Sequence, residues 1–296
     1  MTGETRAIAG EAFRGEARRR SDLAAARSRL PVVARDFAAL LSGIEDPSRP
    51  AVGEWTIGDV AAHVSHVAGG GALVAMTVGN TSGEGLSVGD DLVAGAAAFN
   101  ARTLANDPER DVRALAERVE KSVADLLETT APLQGDEPVA WLGGLVLPAS
   151  GLPCHLMGEL LVHGFDVARA AKRPWPMGPV EAGLAFGFFM DAIRFSPASM
   201  RRGYVHQDAA AGLRAVFEFR VRGGRTYVLD FDDGSLTVSD PPVSPVDCRI
   251  SAAPAAALLS AFGRIGRARP VLSGRIVAWG RRPWLALKLP RLLRNP

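Results

Sequence analysis

Glu159 and His163 stand four residues apart in the proline-free run His155 to Arg169, H-L-M-G-E-L-L-V-H-G-F-D-V-A-R. On a helix this spacing stacks the two side chains on one face, about 5–6 Å apart at Cβ. A carboxylate and an imidazole so placed can chelate one divalent ion. Two ligands do not make a metal site, so a third has to come from elsewhere in the chain. The other histidines before residue 200 are His63, His66 and His155. His63 sits mid-helix on an otherwise apolar stripe with Val60 and Val67, and ligand sites in helical bundles are built from side chains on facing helices. His63, Glu159 and His163 thus make a two-histidine, one-carboxylate set that leaves coordination positions open, as catalysis requires and a structural site lacks. The competing reading of His63 is a core histidine with a satisfied hydrogen bond.

Several neighbours admit two readings. His155 shares the Glu159 face but lies eight residues from His163, about 12 Å by helical rise, too far for one ion to take both easily. It is read as cleft lining or helix-start surface, with ligand contact as the alternative. Asp166, one turn beyond His163, is placed to orient an imidazole N–H. Asp59 reads as a helix-start residue before a site residue, His66 as structural, and Cys154 as a small core residue before a reactive thiol.

The elements that must carry these residues are mostly helices. Residues 1–21 read as a flexible tail ending in Arg18-Arg19-Arg20. Leu23, Leu30, Val33, Phe37, Leu40 and Leu41 fall at helical intervals and predict a first helix from about Asp22 to Gly43. Thr56 followed by Asp59 is a capping-box-like start for a second helix carrying His63. Gly69-Gly70-Gly71 is expected to weaken, kink or end it, and 79–89 reads as loop. Helices are expected over 91–106 and 109–130, a short strand around 139–147, the Glu159/His163 helix from about Pro153 to Ala171, and a further helix from about Pro179 to Phe195. After about Gly203 the pattern alternates. Strands are expected at 213–221, 226–231, 235–238, 246–251 and 276–279. Ser251 is read as capping a helix around Pro254–Phe262, and 283–293 as a closing amphipathic helix. The fold class is therefore a helical bundle over 22–203 followed by a small α+β domain over 204–296.

Bulk composition narrows the function classes. The 296 residues are 47% hydrophobic and 22% charged, ordinary for a globular chain. A net charge of +2 gives no electrostatic reason to expect nucleic acid. Two cysteines imply no disulfide framework. No run approaches 18 apolar residues and the N-terminus lacks an apolar signal core. The expectation is a cytoplasmic protein with no membrane insertion, as a monomer or homodimer.

W-T-I-G-D-V-A-A-H-V at 55–64 and G-E-L-L-V-H-G-F-D-V-A-R-A at 158–170 resemble the mycothiol-dependent maleylpyruvate isomerase family, one of the DinB-like metal-binding four-helix bundles. Trp55, Asp59, His63, Glu159, His163 and Asp166 all fall on that family's pattern. The resemblance implies that His63, Glu159 and His163 bind a divalent metal, usually zinc, and that an open position takes the thiolate of mycothiol. The segments 246–259 and 272–289 look like a sterol-carrier-protein-like domain, often fused to this bundle. The leading expectation is a metal- and thiol-dependent enzyme that isomerises or S-conjugates a small electrophile. The alternatives are a lipid or small-molecule binding protein working through the second domain, and a metal-dependent hydrolase or cyclase without thiol. Asp166 and His155 are the candidate cofactor contacts. Arg275, Arg281 or Arg282 is the candidate source of a catalytic cation for an acidic substrate.

Overall fold

The structure, a computed structural model, describes residues 15–75, 91–141, 145–241, 245–266 and 268–294. Helix α1 (Glu16–Ser42) buries the six apolar residues of the expected stripe and ends at Gly43. It starts six residues earlier than the sequence suggests. The basic run there is not a solvated tail: Arg20 pairs with Glu16 and Arg18 with Asp22 across one helical turn, and Arg19 is buried.

A short hairpin, β1 (Pro50–Val52) with β2 (Trp55–Thr56), leads directly into α2 (Ile57–Ala75). The capping box forms as expected. The Thr56 N–H donates to the Asp59 carboxylate at 3.0 Å, and the Asp59 N–H donates to Thr56 Oγ1 at 3.1 Å. The helix does not break at Gly69–Gly71 but runs through to Ala75. Glycine costs a helix roughly 1 kcal/mol per residue, and packing along α4 offsets it, with the Cα of Gly69 turned toward Ser122. The loop expected at 79–89 lies outside the described residues.

Helices α3 (Leu92–Asn106) and α4 (Val112–Thr129) match their expected spans and are capped by Asp91 and Asp111. The single strand expected around 139–147 is a hairpin, β3 (Pro138–Ala140) with β4 (Val146–Pro148). Helix α5 (Gly151–Ala171) carries Glu159 and His163 and ends with Lys172 in the left-handed conformation, φ 56°. Contacts α1–α4, α4–α2, α2–α5 and α5–α1 close a four-helix ring, and α6 (Pro179–Phe195) lies against the outside of α5.

The second domain is a five-stranded sheet ordered β7-β6-β5-β8-β9: β5 (Arg214–Val221), β6 (Thr226–Asp232), β7 (Ser235–Ser239), β8 (Cys248–Ala252) and β9 (Ile276–Trp279). All pairings are antiparallel except β5 with β8. The connection from β8 toward β9 begins with α7 (Pro254–Ala261), whose N-cap is Ala253 and not Ser251. Ser251 is held inside β8 opposite Val277. The expected closing helix splits into a 3-10 turn, Pro283–Leu287, and one short turn, Leu289–Leu292. Pro290 supplies no N–H and disfavours helical backbone just before it.

The domains interlock through aromatic and ionic contacts. Phe186 of α6 stacks on Phe219 of β5 at 5.2 Å, and Phe189 meets Phe262 at 5.6 Å. Arg225 grips Asp191 with two hydrogen bonds of 2.6 and 2.8 Å, the strong bidentate geometry.

Next to His163, Gly164 marks the closest packing on α5. A Cβ there would lie 2.3 Å from the Trp175 ring, whose Nε1–H donates to the Leu161 carbonyl at 2.9 Å. Gly164→Ala, which would stabilise an open helix, is therefore expected to destabilise this one by about 1–3 kcal/mol through overpacking. A denaturant titration against the unsubstituted protein measures it.

Candidate metal centre

The three sequence-derived ligands converge at the interface of α2 and α5. His63 Nε2 lies 3.2 Å from Glu159 Oε2, and His163 Nε2 lies 3.5 Å from the same oxygen. The two imidazole rings meet edge-on at 4.9 Å. One ligand atom from each residue falls within 4.8 Å of the other two. A tetrahedral ion with bonds near 2.1 Å has ligand–ligand edges of about 3.4 Å, so the donor chemistry and the spacing both fit a divalent metal.

The local structure explains the convergence. The Thr56–Asp59 capping box fixes where α2 begins, and Arg110 donates to Asp59 at 2.8 Å, tying that start to the turn before α4. His63 follows one turn after Asp59 and is buried. Asp59 thus acts as a helix-start residue. Trp55, held on the hairpin, covers the two rings, with centroids 5.0 Å from His63 and 6.3 Å from His163.

Electrostatics favour the metal-binding protonation states at Glu159 and His63. Burial alone would raise the Glu159 carboxyl, but hydrogen bonds with His155, His163 and His63 outweigh it and hold the group well below the usual carboxylate range. Burial pushes His63 down, against the pull of Glu159, so it stays neutral. His163 behaves differently. Burial would lower it too, but Asp166 and Glu159 together raise it.

Asp166 has no solvent exposure. Its Oδ2 lies 3.2 Å from His163 Nδ1, which leaves Nε2 turned to Glu159. The contact is an ion pair without hydrogen-bond alignment, on the side of the ring that a ligand-orienting carboxylate takes. Its other partner comes from the second domain: Arg264 Nε reaches both carboxylate oxygens at 3.1 Å. Arg264 follows the turn at Gly263 (φ 66°) after α7 and also donates to the Phe262 carbonyl at 2.7 Å.

Residues 30–168 match the family model described as the mycothiol maleylpyruvate isomerase N-terminal domain, and residues 200–293 match the SCP-2 sterol transfer family. The chain is therefore similar to that isomerase family over its N-terminal domain and to the SCP-2 family over its C-terminal domain. Two solved structures described as the mycothiol-dependent maleylpyruvate isomerase are similar to it. One, a histidine-to-alanine mutant, shares 14% identity with a TM-score of 0.52; the other shares 16% with a TM-score of 0.49. Each alignment covers 87% of this chain and 91% of the other. At such identity the first likeness speaks to the fold alone. No curated protein matches the chain.

The remaining expected site residues fall in different places. His155 does reach Glu159, but at the other oxygen, Oε1, 3.3 Å away. Its ring lies between Trp141 at 4.7 Å and Phe188 at 4.9 Å, two aromatics that spacing along the chain did not connect to it. His66 pairs with Asp107 at 3.3 Å, away from the cluster. Cys154 is buried, and burial raises its thiol far above the range of a reactive one. Arg275 and Arg281 do not join the cluster among the described residues. They are exposed at either end of β9, the sheet edge opposite the β7 edge that meets α6. Arg282 is turned to Asp247 at 3.8 Å. The cation that the second domain brings to α5 is Arg264, which no short-range pattern links to a carboxylate 98 positions earlier.

Arg264→Ala removes the main countercharge of a fully buried carboxylate. Breaking such a pair costs about 3–5 kcal/mol, and the residual contact of Asp166 with Arg169 at 3.8 Å places the expected loss at the lower end of that range. Urea unfolding of the variant measures it.

Proposed function

We propose that the protein is a metal-dependent enzyme that uses a low-molecular-weight thiol, mycothiol, to isomerise or S-conjugate a small electrophilic substrate. The observation that carries this reading is the convergence of His63, Glu159 and His163, with both imidazoles 3.2–3.5 Å from one Glu159 oxygen and all three ligand atoms within 4.8 Å of one another. The family match over residues 30–168 supports it. Bound there, a divalent ion such as zinc supplies one chemistry: it deprotonates a coordinated thiol at neutral pH, which makes a nucleophile.

The chain's own residues do the rest. His63 offers a neutral donor, His163 one once its proton has left, and Glu159 an ionised one. Asp166 sets the orientation of the His163 ring, and Arg264 offsets the charge of Asp166. Trp55 shields the imidazoles from bulk water. His155, between Trp141 and Phe188, is placed to contact the thiol or the substrate. Addition to a conjugated cis alkene, rotation and elimination would give isomerisation, and addition without reversal would give thiol transfer. The substrate's shape decides between them.

Elemental analysis of the purified protein should find about one zinc or similar ion per chain, lost in His63→Ala and Glu159→Ala; unchanged metal in both variants sinks the site. Mass spectrometry after mixing with mycothiol and a model electrophile should show a product that depends on the metal. An adduct that forms equally well after chelation counts against the mechanism.

Metal affinity should also depend on pH in a definite direction. A proton on His163 competes with the ion, so affinity rises with pH and levels off above the raised His163 pKa. Asp166→Asn removes an interaction that raises it, so the midpoint should move to lower pH. Chelator competition from about pH 5 to about pH 8 reads the shift.

A further inference from the structure

From Cys248 to the C-terminus the chain holds ten lysines and arginines and no acidic residue. Four of these cations are at least partly buried and each finds an acid from earlier in the chain: Arg249 with Glu218, Arg264 with Asp166, Arg282 with Asp247, and Arg294 with Asp91. Five others, Arg269, Arg275, Arg281, Lys288 and Arg291, are exposed, and none has an ion pair among the described residues. The same segment concentrates exposed apolar side chains. Of nine large exposed hydrophobic residues described in the chain, six lie between 271 and 287. Leu272 is 87% exposed, Trp284 58%, and Val271, Val277 and Trp279 40–48%.

These residues cluster around β9. Along β9 the side chains alternate, with Ile276 and Ala278 half-buried and Val277 and Trp279 turned outward. Arg275 precedes the strand and Arg281 follows it. The short helix Ala268–Leu272, which ends in Val271 and Leu272, contacts β9 on one side, and the 3-10 turn containing Trp284 contacts it on another. The edge strand β9 and the turns beside it thus present unbalanced cations next to protruding tryptophan and aliphatic side chains.

We propose that this face of the C-terminal domain docks on an anionic bilayer surface, with Trp279, Trp284 and Leu272 entering the headgroup region and the exposed cations meeting lipid phosphates. The match is one of charge and of apolar depth together. Tryptophan and leucine beside lysine and arginine is the composition of interfacial anchors, and each cation near an anionic leaflet strengthens binding about fivefold. A nucleic acid offers no apolar partner for Leu272 or Val277. A second copy of the chain on a two-fold axis would set like charges against each other. No helix among the described residues is long and apolar enough to cross a membrane, so the contact is peripheral. It stands independently of the metal centre.

Sedimentation of the full chain with vesicles tests it. The protein should pellet with vesicles containing phosphatidylglycerol, stay in solution with pure phosphatidylcholine, and be released by salt. Arg275→Gln/Arg281→Gln should lower the partition coefficient about tenfold or more. Brominated anionic lipid should quench tryptophan fluorescence, and Trp279→Phe/Trp284→Phe should lose most of that quenching. Protein that stays in the supernatant with anionic vesicles overturns the proposal. So does binding that neither double substitution changes, and so does charge-dependent binding without quenching, since the apolar side chains then do not enter the bilayer.

Discussion

A carboxylate with no exposure to solvent is stable only if its charge is answered inside the protein, and Asp166 meets that demand from two directions. On one side it holds His163, a member of the converging triad. On the other it takes both of its oxygens to Arg264, which belongs to the second domain. One residue therefore joins the orientation of a candidate ligand to the docking of a separate fold. The C-terminal domain thus becomes part of the support of His163. The Phe186–Phe219 stack and the Arg225–Asp191 fork hold the same interface from α6.

Glu159 is the counterpart of Asp166 on the cleft side. Three imidazoles surround its two oxygens, two at Oε2 and one at Oε1. Such a cluster needs positive charge, as protons or as a metal, and an ionised Glu159 with a neutral His63 are the states a metal would require. The rest of the bundle keeps α2 and α5 in register so that the cluster closes. The capping box sets the start of α2, Arg110 fixes that start to the next turn, and Trp175 presses on α5 at Gly164.

The sheet of the second domain divides its work between its edges. The β7 edge faces the bundle, where Arg194 bonds Asp240 at 2.8 Å. The β9 edge faces outward and collects the exposed tryptophans and the unbalanced cations. A net charge of +2 for the whole chain conceals this asymmetry, because the acids stop at Asp247 while the cations continue.

Much of this was legible in the sequence because it rests on short-range periodicity. The i, i+4 spacing of Glu159 and His163, the apolar stripes of the bundle helices and the alternation in β5 repeat along the chain and need no partner to be read. The triad itself was legible because His63 interrupts an apolar stripe, which is costly unless the residue has a task. The misreadings have a common cause. Gly69–Gly71 does not break α2, which packs along α4, and Ser251 is a strand residue because Val277 lies opposite it. In each, a tertiary contact outweighs a local preference of about 1 kcal/mol. Only the tertiary structure could choose Arg264 over Arg275 and Arg281, because ion pairing depends on distance in space and the sequence offers several equivalent arginines. The residues that can bind a metal are thus a property of the sequence, while the group that holds them in place is a property of how the two domains meet.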